Sequence, residues 1–258
     1  MGFIKIMKGV RTIKKEKTFF EFKALANKKA ELYIQGEITP YAYEEFGEMS
    51  ATAFKAKLEE LGDVEQIDLY TNSPGGSVFD GLTIANMLKR HKARVVAHVD
   101  GLAASIASVI VASADEVVMP SNAMMMIHNP LVGIVGNAKE MREQADILDK
   151  VTDSLVETYM AKVGDKTTEE NIRALMDAET WLSAKEAVEL GLADVIDAPN
   201  KMVASISEDY KNKFKNIPKA LLEVDKEHQA NVLTDEERQN ILQDSKANIA
   251  YLQTLNLL

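Results

Sequence analysis

The chain contains no cysteine, only 6 prolines and 13 glycines among its 258 residues, and no long apolar run. The absence of cysteine excludes cysteine nucleophiles, zinc ribbons, iron–sulfur clusters and thiol redox chemistry, and it is typical of a reducing compartment. The low proline and glycine content excludes collagen-like and low-complexity chains. The longest apolar stretch, residues 101–114, is too short to span a bilayer, so we predict no membrane segment.

The composition indicates a globular chain, because 46% of the residues are hydrophobic and 27% are charged, with a net charge of -10. Residues 1–30 carry nine Lys or Arg and two Asp or Glu, whereas residues 31–198 are strongly acidic, which excludes nonspecific binding of nucleic acid. The basic segment is either a solvated tail or a contact for an acidic partner. Lysines are scattered over residues 1–20, where a signal peptide would be apolar, so we expect a cytoplasmic protein.

Short β-like runs alternate with helical patterns between residues 31 and 198, which predicts an α/β domain built on a largely parallel, buried sheet. A basic segment, residues 1–30, precedes this domain. After Pro199 the chain becomes polar and then helical, so we predict a boundary there and a helical C-terminal extension, residues 199–258.

Several helices and strands can be placed individually. Strands are predicted over residues 31–38, 66–72, 94–99, 116–119, 124–128 and 193–197. Helices are predicted over 39–62, along the apolar stripe 78–88, over 106–114 and from 137 onward. Thr167 to Glu170 and Ser183 to Glu186 are predicted capping boxes. The helix that begins at Asn137 has an apolar stripe from Met141 to Tyr159, which is consistent either with core packing or with contact between subunits.

Three segments contain residue types that carry chemistry. The Ser73–Ser77 turn between a strand and a helix can stabilise an anion through its backbone amides, or can be an ordinary tight turn. Ser105 lies between a strand and a helix, where it is either a nucleophile or a helix cap. His128 ends a strand, where a histidine is either a base or a structural residue. The other histidines have no spacing typical of a metal site, and no metal or other cofactor is predicted.

These segments, in this order, resemble the proteolytic subunits of the Clp protease family. The matching sequence motifs are Ser-Pro-Gly-Gly at residues 73–76, Gly-Leu-Ala-Ala-Ser at 101–105, Met-Ile-His-Asn-Pro at 126–130 and a closing segment at 181–194. The resemblance spans residues 31–198. It implies a Clp/crotonase-like spiral of ββα units, a serine endopeptidase that cleaves extended polypeptide through an acyl-enzyme, and a homo-oligomeric ring.

Carried over residue by residue, the resemblance makes Ser105 the nucleophile and His128 the general base. The backbone amides of Gly76 and Ile106 become the oxyanion donors. The segment 131–136, with Gly133 and Gly136, becomes the part that pairs with a substrate strand.

The third triad residue is less well defined. The family position that holds Asp aligns with Glu179, and Asp177 lies two residues upstream. If this segment is extended, both side chains project to the same side and either can reach the imidazole. We favour Glu179 and keep Asp177 as the alternative acid.

Two departures from the family bear on biological role. Residues 1–30 do not resemble the family's axial loops, so an ATPase partner is not implied. The extension and the Glu-Thr-Trp sequence at 179–181 resemble the Clp-related head maturation proteases of phages and prophages, which implies processing of a capsid or scaffold protein in the host cytoplasm. The alternatives are a degradative Clp-type subunit that works with an ATPase and a non-catalytic capsid-assembly component. A crotonase-type acyl-CoA enzyme shares the fold but needs no serine–histidine pair.

Overall fold

Strands and helices alternate along the part of the chain that the computed structural model describes, namely residues 20–24, 28–39, 51–199 and 214–218. These residues all belong to the first of two units, residues 1–222. The strands are β1 Phe20–Ala24, β2 Lys29–Ile38, β3 Gln66–Gly76, β4 Arg94–Ala104, β5 Glu116–Pro120, β6 Met124–Ile127, β7 Thr180–Ser183 and β8 Val195–Asp197. The helices are α1 Ala51–Glu60, α2 Val78–Arg90, α3 Ile106–Ala112, α4 Ala138–Val163, α5 Glu169–Asp177 and α6 Ala184–Leu190.

The strands of the described residues form one sheet in the order β1-β2-β3-β4-β5-β8. Strands β2, β3, β4, β5 and β8 are parallel, and β1 is antiparallel to β2 at the edge. Strand β6 is parallel to the carboxyl end of β4 and antiparallel to β7. The predicted α/β class and parallel sheet are confirmed.

One face of the sheet forms the hydrophobic core. Side chains alternate between the two faces of a strand, and those on the core side of β2, β3 and β4, such as Leu32, Leu69 and Ala97, are fully buried. Helix α3 is buried at every position, as its apolar sequence predicts. This helix is enclosed because α2 and the second half of α4 also pack into the core cluster.

Strands β3 and β4 are longer than predicted. They continue to Gly76 and Ala104, so the Ser-Pro-Gly-Gly and Gly-Leu-Ala-Ala segments belong to strand ends rather than to loops. The pairing between them shifts register between Thr71 and Ser73. Because β3 and β4 are adjacent and parallel, their carboxyl ends bring the glycine turn and Ser105 to the same edge of the sheet.

Helix termini mostly follow the predicted caps. Asn137 caps α4 and Ser183 caps α6, each in a reciprocal capping box. The box predicted at Thr167 is wrong, because Thr168 is the cap of α5 and its side chain accepts a hydrogen bond from the Asn171 amide. Strand β8 is shorter than predicted and begins at Val195.

Helix α4 divides into two halves. In its second half Leu155, Val156, Tyr159 and Val163 are buried in the core. In its first half, residues 138–153, every side chain is exposed or half-buried, and Met141 and Ile147 are about half exposed. The predicted core packing therefore applies to the second half, and the first half leaves an apolar stripe uncovered within the described unit.

Some predictions lie outside the described residues. They are the first part of the helix predicted from Thr39, the connector predicted after Pro199 and most of the helical C-terminal extension. Residues 214–218 of that extension are described and form no helix, so the helical prediction is wrong there. Among the residues that the structure does describe, no helix is both long and apolar enough to cross a membrane.

Candidate active site

Ser105 lies at the sharp junction between β4 and α3. Its backbone has φ 55° and ψ −132°, a region that residues with a side chain rarely adopt. The Ser105 amide donates to the Met126 carbonyl of β6 at 2.9 Å, which holds the junction against the neighbouring strand. Ser105 occupies the N-cap position of α3, but its hydroxyl makes no capping hydrogen bond, so its side chain is not a helix cap. The strand–turn–helix geometry instead presents the hydroxyl at the end of the sheet.

His128 follows directly after β6 and meets Ser105. Its Nε2 lies 2.7 Å from Ser105 Oγ, within hydrogen-bond distance. Burial lowers the pKa of the His128 imidazole below its ordinary value of 6.5, and the negative charge of Glu179 opposes that shift. From sequence alone, Ser105 and His128 could each have had either a catalytic or a structural role. The structure brings their side chains together.

The glycine turn at the end of β3 lies against the start of α3. Gly75 and Gly76 both have positive φ, 94° and 145°. A Cβ atom on Gly75 would lie 2.7 Å from Ser105 Cβ and 3.2 Å from the Ile106 amide nitrogen, and one on Gly76 would collide with the Ile38 carbonyl. Only glycine fits this approach. Ile106 is the first residue of α3, where backbone N–H groups have no acceptor within the helix.

The two candidate acids occupy different environments. Glu179 is buried, with 8% exposure, and its Oε1 accepts hydrogen bonds from the Lys215 amide at 2.6 Å and the Asn216 amide at 2.8 Å. Asp177 is exposed and accepts a hydrogen bond from Asn129 Nδ2 at 2.6 Å. Neither carboxylate hydrogen-bonds to the His128 ring among the described residues. Of these two carboxylates, only Glu179 affects the pKa of the His128 ring, which its negative charge raises.

The extended conformation expected for residues 177–179 is wrong. Asp177 is the last residue of α5, Ala178 has helical dihedral angles, and Glu179 has φ 50°. The two side chains therefore do not project to one side as in a strand. The strand in this region is β7, which begins one residue later at Thr180 and was not predicted.

A cleft of about 250 Å³ opens over the Ser105–His128 pair. Its lining residues come from the ends of β2, β3 and β6, from the start of α2 and from residue 214: Glu37, Pro74, Gly76, Val78, Ser105, His128, Pro130, Leu131 and Phe214. Apart from Glu37 and the pair itself, these residues are apolar or glycine. The cleft therefore offers a mostly apolar surface beside two polar side chains.

One wall of the cleft continues into residues 131–136, which form no helix or strand. Leu131, Val132, Ile134 and Val135 are exposed. A Cβ atom on Gly133 would meet no atom within 4 Å, whereas one on Gly136 would lie 2.7 Å from Oε2 of Glu140, whose side chain caps α4. Gly133 thus leaves open space beside the segment, and Gly136 accommodates the helix cap.

Phe214 is a site residue that sequence analysis missed. Its ring packs edge-on against the His128 ring, with centroids 5.9 Å apart, and against Trp181 at 5.6 Å. The surrounding sequence is rich in Lys and Asn and lies in the C-terminal extension, which the sequence predicts to be separate from the peptidase domain. The sequence feature that could have indicated a buried contact here is an aromatic residue within that polar stretch, followed by Ile217 and Pro218.

Comparison with known proteins gives a consistent match. The sequence model of the Clp protease family matches residues 17–200. The ATP-dependent Clp protease proteolytic subunit of Leuconostoc citreum is 34% identical over 167 residues, which cover 63% of this chain and 80% of that protein.

Two further relatives have similar names. Proteolytic subunit 2 of the ATP-dependent Clp protease of Treponema denticola is 36% identical over 152 residues, covering 56% of this chain and 74% of the relative. Subunit 1 from Prochlorococcus marinus subsp. pastoris is 34% identical over 141 residues, covering 54% and 71%.

Proposed function

The chain belongs to the Clp protease family of serine peptidases, and from that premise we propose that Ser105 and His128 cleave extended polypeptide through an acyl-enzyme. The observation that carries the proposal is the 2.7 Å contact between Ser105 Oγ and His128 Nε2 at the base of a cleft. A crotonase-type enzyme needs only backbone donors, so this side-chain pair favours peptidase chemistry.

The proposed reaction uses the pair in two steps. His128 Nε2 takes the Ser105 hydroxyl proton as Oγ attacks the substrate carbonyl, and the imidazolium then donates that proton to the leaving amine. Water, activated by the same imidazole, hydrolyses the ester on Ser105. Because burial lowers the pKa of His128, its ring is predominantly neutral near pH 7 and ready to accept a proton.

The amides of Gly76 and Ile106 are the proposed donors to the tetrahedral oxyanion. This assignment is supported by the close approach of the glycine turn to the start of α3. A Cβ atom on Gly75 would lie 3.2 Å from the Ile106 nitrogen. Two preorganised N–H donors stabilise negative charge that develops only during the reaction.

Glu179 is the proposed acid, in preference to Asp177. It is buried and its charge acts on the His128 ring, whereas Asp177 is exposed and bound by Asn129. A carboxylate at Glu179 stabilises the imidazolium that forms during proton transfer.

Residues 131–136 are the proposed binding strand for substrate. This segment is exposed and forms no described helix or strand, and Gly133 has open space beside it. An extended peptide can add to such a segment through main-chain hydrogen bonds, with its side chains in the apolar cleft.

For the biological substrate we favour a capsid or scaffold protein, with this chain acting as a head maturation protease in a host cytoplasm. The supports are the residues that follow position 200, where the family match ends, and the Glu-Thr-Trp sequence at 179–181. The second candidate is a degradative subunit that works with an ATPase, which the relatives' names favour. In either role we expect a homo-oligomeric ring, as in the family.

Fluorophosphonate labelling of the full chain tests the chemistry. We expect covalent labelling of the parent protein and no labelling of Ser105→Ala or His128→Ala. Equal labelling of parent and Ser105→Ala, or none of the assembled parent, would contradict the peptidase assignment and favour a non-catalytic assembly component.

Incubation with the capsid product of a neighbouring gene tests the role. We expect defined cleavage products without ATP. Cleavage confined to unfolded host proteins, and only with an added ATPase, would instead support the degradative candidate.

A further inference from the structure

Residues 214–218 lie beyond the family match, which ends at residue 200, yet they contact the candidate active site. Phe214 is 9% exposed and forms a small hydrophobic cluster with Leu102, Ala104 and Met126. Leu102 and Ala104 lie in the last part of β4, just before Ser105. The segment therefore packs on the strands that carry both members of the serine–histidine pair.

The same segment binds Glu179 through its backbone. Both amide donors, from Lys215 and Asn216, converge on one carboxylate oxygen, Oε1, at 2.6 and 2.8 Å. The Asn216 side chain also donates to the Ala178 carbonyl at 2.9 Å. Three hydrogen bonds thus hold the short stretch at 178–179, whose backbone at Glu179 has φ 50°. They fix the orientation of a carboxylate that has no described hydrogen bond to the imidazole.

Phe214 contacts the imidazole directly. Its ring meets the His128 ring edge-on at 5.9 Å and also lines the cleft. An aromatic ring at this distance limits the space into which the imidazole can rotate. One segment therefore holds the proposed acid by hydrogen bonds and the proposed base by packing.

We propose that residues 214–218 are a positioning element of the active site, which fixes the Glu179 carboxylate and the His128 ring relative to Ser105. This inference rests on the proposed function. The segment touches no reacting atom directly, and it acts by keeping the negative charge of Glu179 close to the imidazole and the imidazole in line with Ser105 Oγ.

A matched pair of variants at Lys215 tests the proposal, because the bond to Glu179 comes from the main chain. Lys215→Pro removes the N–H donor, whereas Lys215→Ala keeps it and removes only the side chain. The measurement is the rate of fluorophosphonate labelling of the full chain as a function of pH. Lys215→Ala is the reference for Lys215→Pro, because both lack the lysine side chain and only Lys215→Ala keeps the N–H donor.

For Lys215→Pro we expect labelling on the order of tenfold slower, since a misplaced group near the reaction centre is costly. We also expect the inflection of the pH profile to move to lower pH. The negative charge of Glu179 raises the pKa of His128, and its displacement lowers that pKa further. Phe214→Ala should slow labelling similarly, and Phe214→Leu should restore part of the rate.

Unfolding in urea, measured on the same variants, separates positioning from general stability. Variants that lose stability but keep the parent's labelling rate and pH inflection would overturn the proposal, while Ser105-dependent labelling of the parent would still support the proposed function. Absence of Ser105-dependent labelling in the parent would contradict the proposed function itself.

Discussion

Ser105 and Glu179 both have backbone conformations with positive φ, 55° and 50°. Among the described residues only one other non-glycine residue, Lys28, shares this feature. Such conformations cost about 1–3 kcal/mol each and persist where neighbouring contacts impose them. At Ser105 the amide is bonded to Met126, and at Glu179 the carboxylate is bonded to two amides. The strain is located at two of the three proposed triad positions.

The first prediction concerns His128 and pH. Because burial lowers the pKa of the imidazole below 6.5, we expect fluorophosphonate labelling at pH 6.5 to keep more than half of its plateau rate. Below the folded-state pKa the rate should fall about tenfold per pH unit, since a protonated imidazole cannot act as a base. An inflection at or above 6.5 would contradict this expectation.

The same shift has a consequence for stability, with a defined sign. The folded protein favours the neutral ring, so His128 contributes stability above the unfolded-state pKa of about 6.5. That contribution is lost as pH falls towards the folded-state pKa, because the unfolded chain binds a proton that the folded chain does not. His128→Gln should remove this part of the pH dependence in urea unfolding.

The second prediction concerns Gly76. Gly76→Ala places a Cβ atom against the Ile38 carbonyl of β2 and on a backbone with φ 145°. We expect a loss of at least about 1–3 kcal/mol in the free energy of unfolding from the backbone conformation, and loss of labelling because the proposed oxyanion donor is displaced.

Gly62→Ala is the matched control for this variant. Gly62 also has positive φ, 67°, but a Cβ there meets no atom within 4 Å. It should lose stability in urea while keeping the labelling rate of the parent. If Gly76→Ala also kept that rate, Gly76 would have no part in the oxyanion site.

At the scale of single residues, sequence analysis was most informative where local sequence determines local geometry. The glycine turn, Ser105 and His128 occur in short motifs at strand ends, and the structure brings them together. The acid was harder to place because the conformation of Ala178 and Glu179 depends on contacts with residues 215 and 216, far along the chain.

Helices α3 and α4 are joined by a buried hydrogen-bond chain that reaches the backbone of Ser105. The Ser108 hydroxyl donates to the Ser105 carbonyl at 2.6 Å, which leaves its oxygen to accept from the Tyr159 hydroxyl at 2.7 Å. Both side chains are buried. Burial also raises the pKa of the Tyr159 phenol, so this hydroxyl remains a donor throughout the accessible pH range.

The third prediction is that Tyr159→Phe lowers the free energy of unfolding by about 1 kcal/mol, because it removes one partner of a buried hydrogen bond. Ser108→Ala should cost more, since it also removes the donor to Ser105. In a double-mutant cycle measured by urea unfolding, the two changes should couple by about 0.5–3 kcal/mol. Strict additivity would show that the chain contributes no cooperative stability.

At the scale of elements, the parallel sheet and most helices follow from apolar periodicity and caps. Strand β7 was missed because it has only four residues, with half-buried and buried positions mixed, and it exists by pairing with β6. The longer β3 and β4 were missed for a related reason. Glycine and proline in Ser-Pro-Gly-Gly normally end a strand, and here pairing with β2 continues past them.

At the scale of the whole molecule, the described residues leave an apolar surface on the first half of α4. Met141 is 49% exposed, and its stripe continues through the half-buried Leu148 into the buried Leu155. A surface of this kind is typical of a subunit contact. It agrees with the proposed ring, because contact between copies would cover side chains that the described unit leaves in water.

The fourth prediction is that Met141→Glu reduces assembly, measured by sedimentation velocity, because it places a charge in the apolar contact. Asn86→Glu is the control, since it adds a negative charge on an exposed position of α2. The control should sediment like the parent. An unchanged distribution for Met141→Glu would show that this face of α4 is not a subunit contact.

The residues of the proposed site are also far apart in the sequence. Ser105 comes first, Glu179 follows much later, and the amides that bind Glu179 come later still. During synthesis at about 5–20 residues per second, the nucleophile leaves the ribosome on the order of ten seconds before residues 215 and 216 are made. A nascent chain therefore holds an incomplete peptidase through most of its production. The proposed site can therefore be completed only after most of the chain has been made.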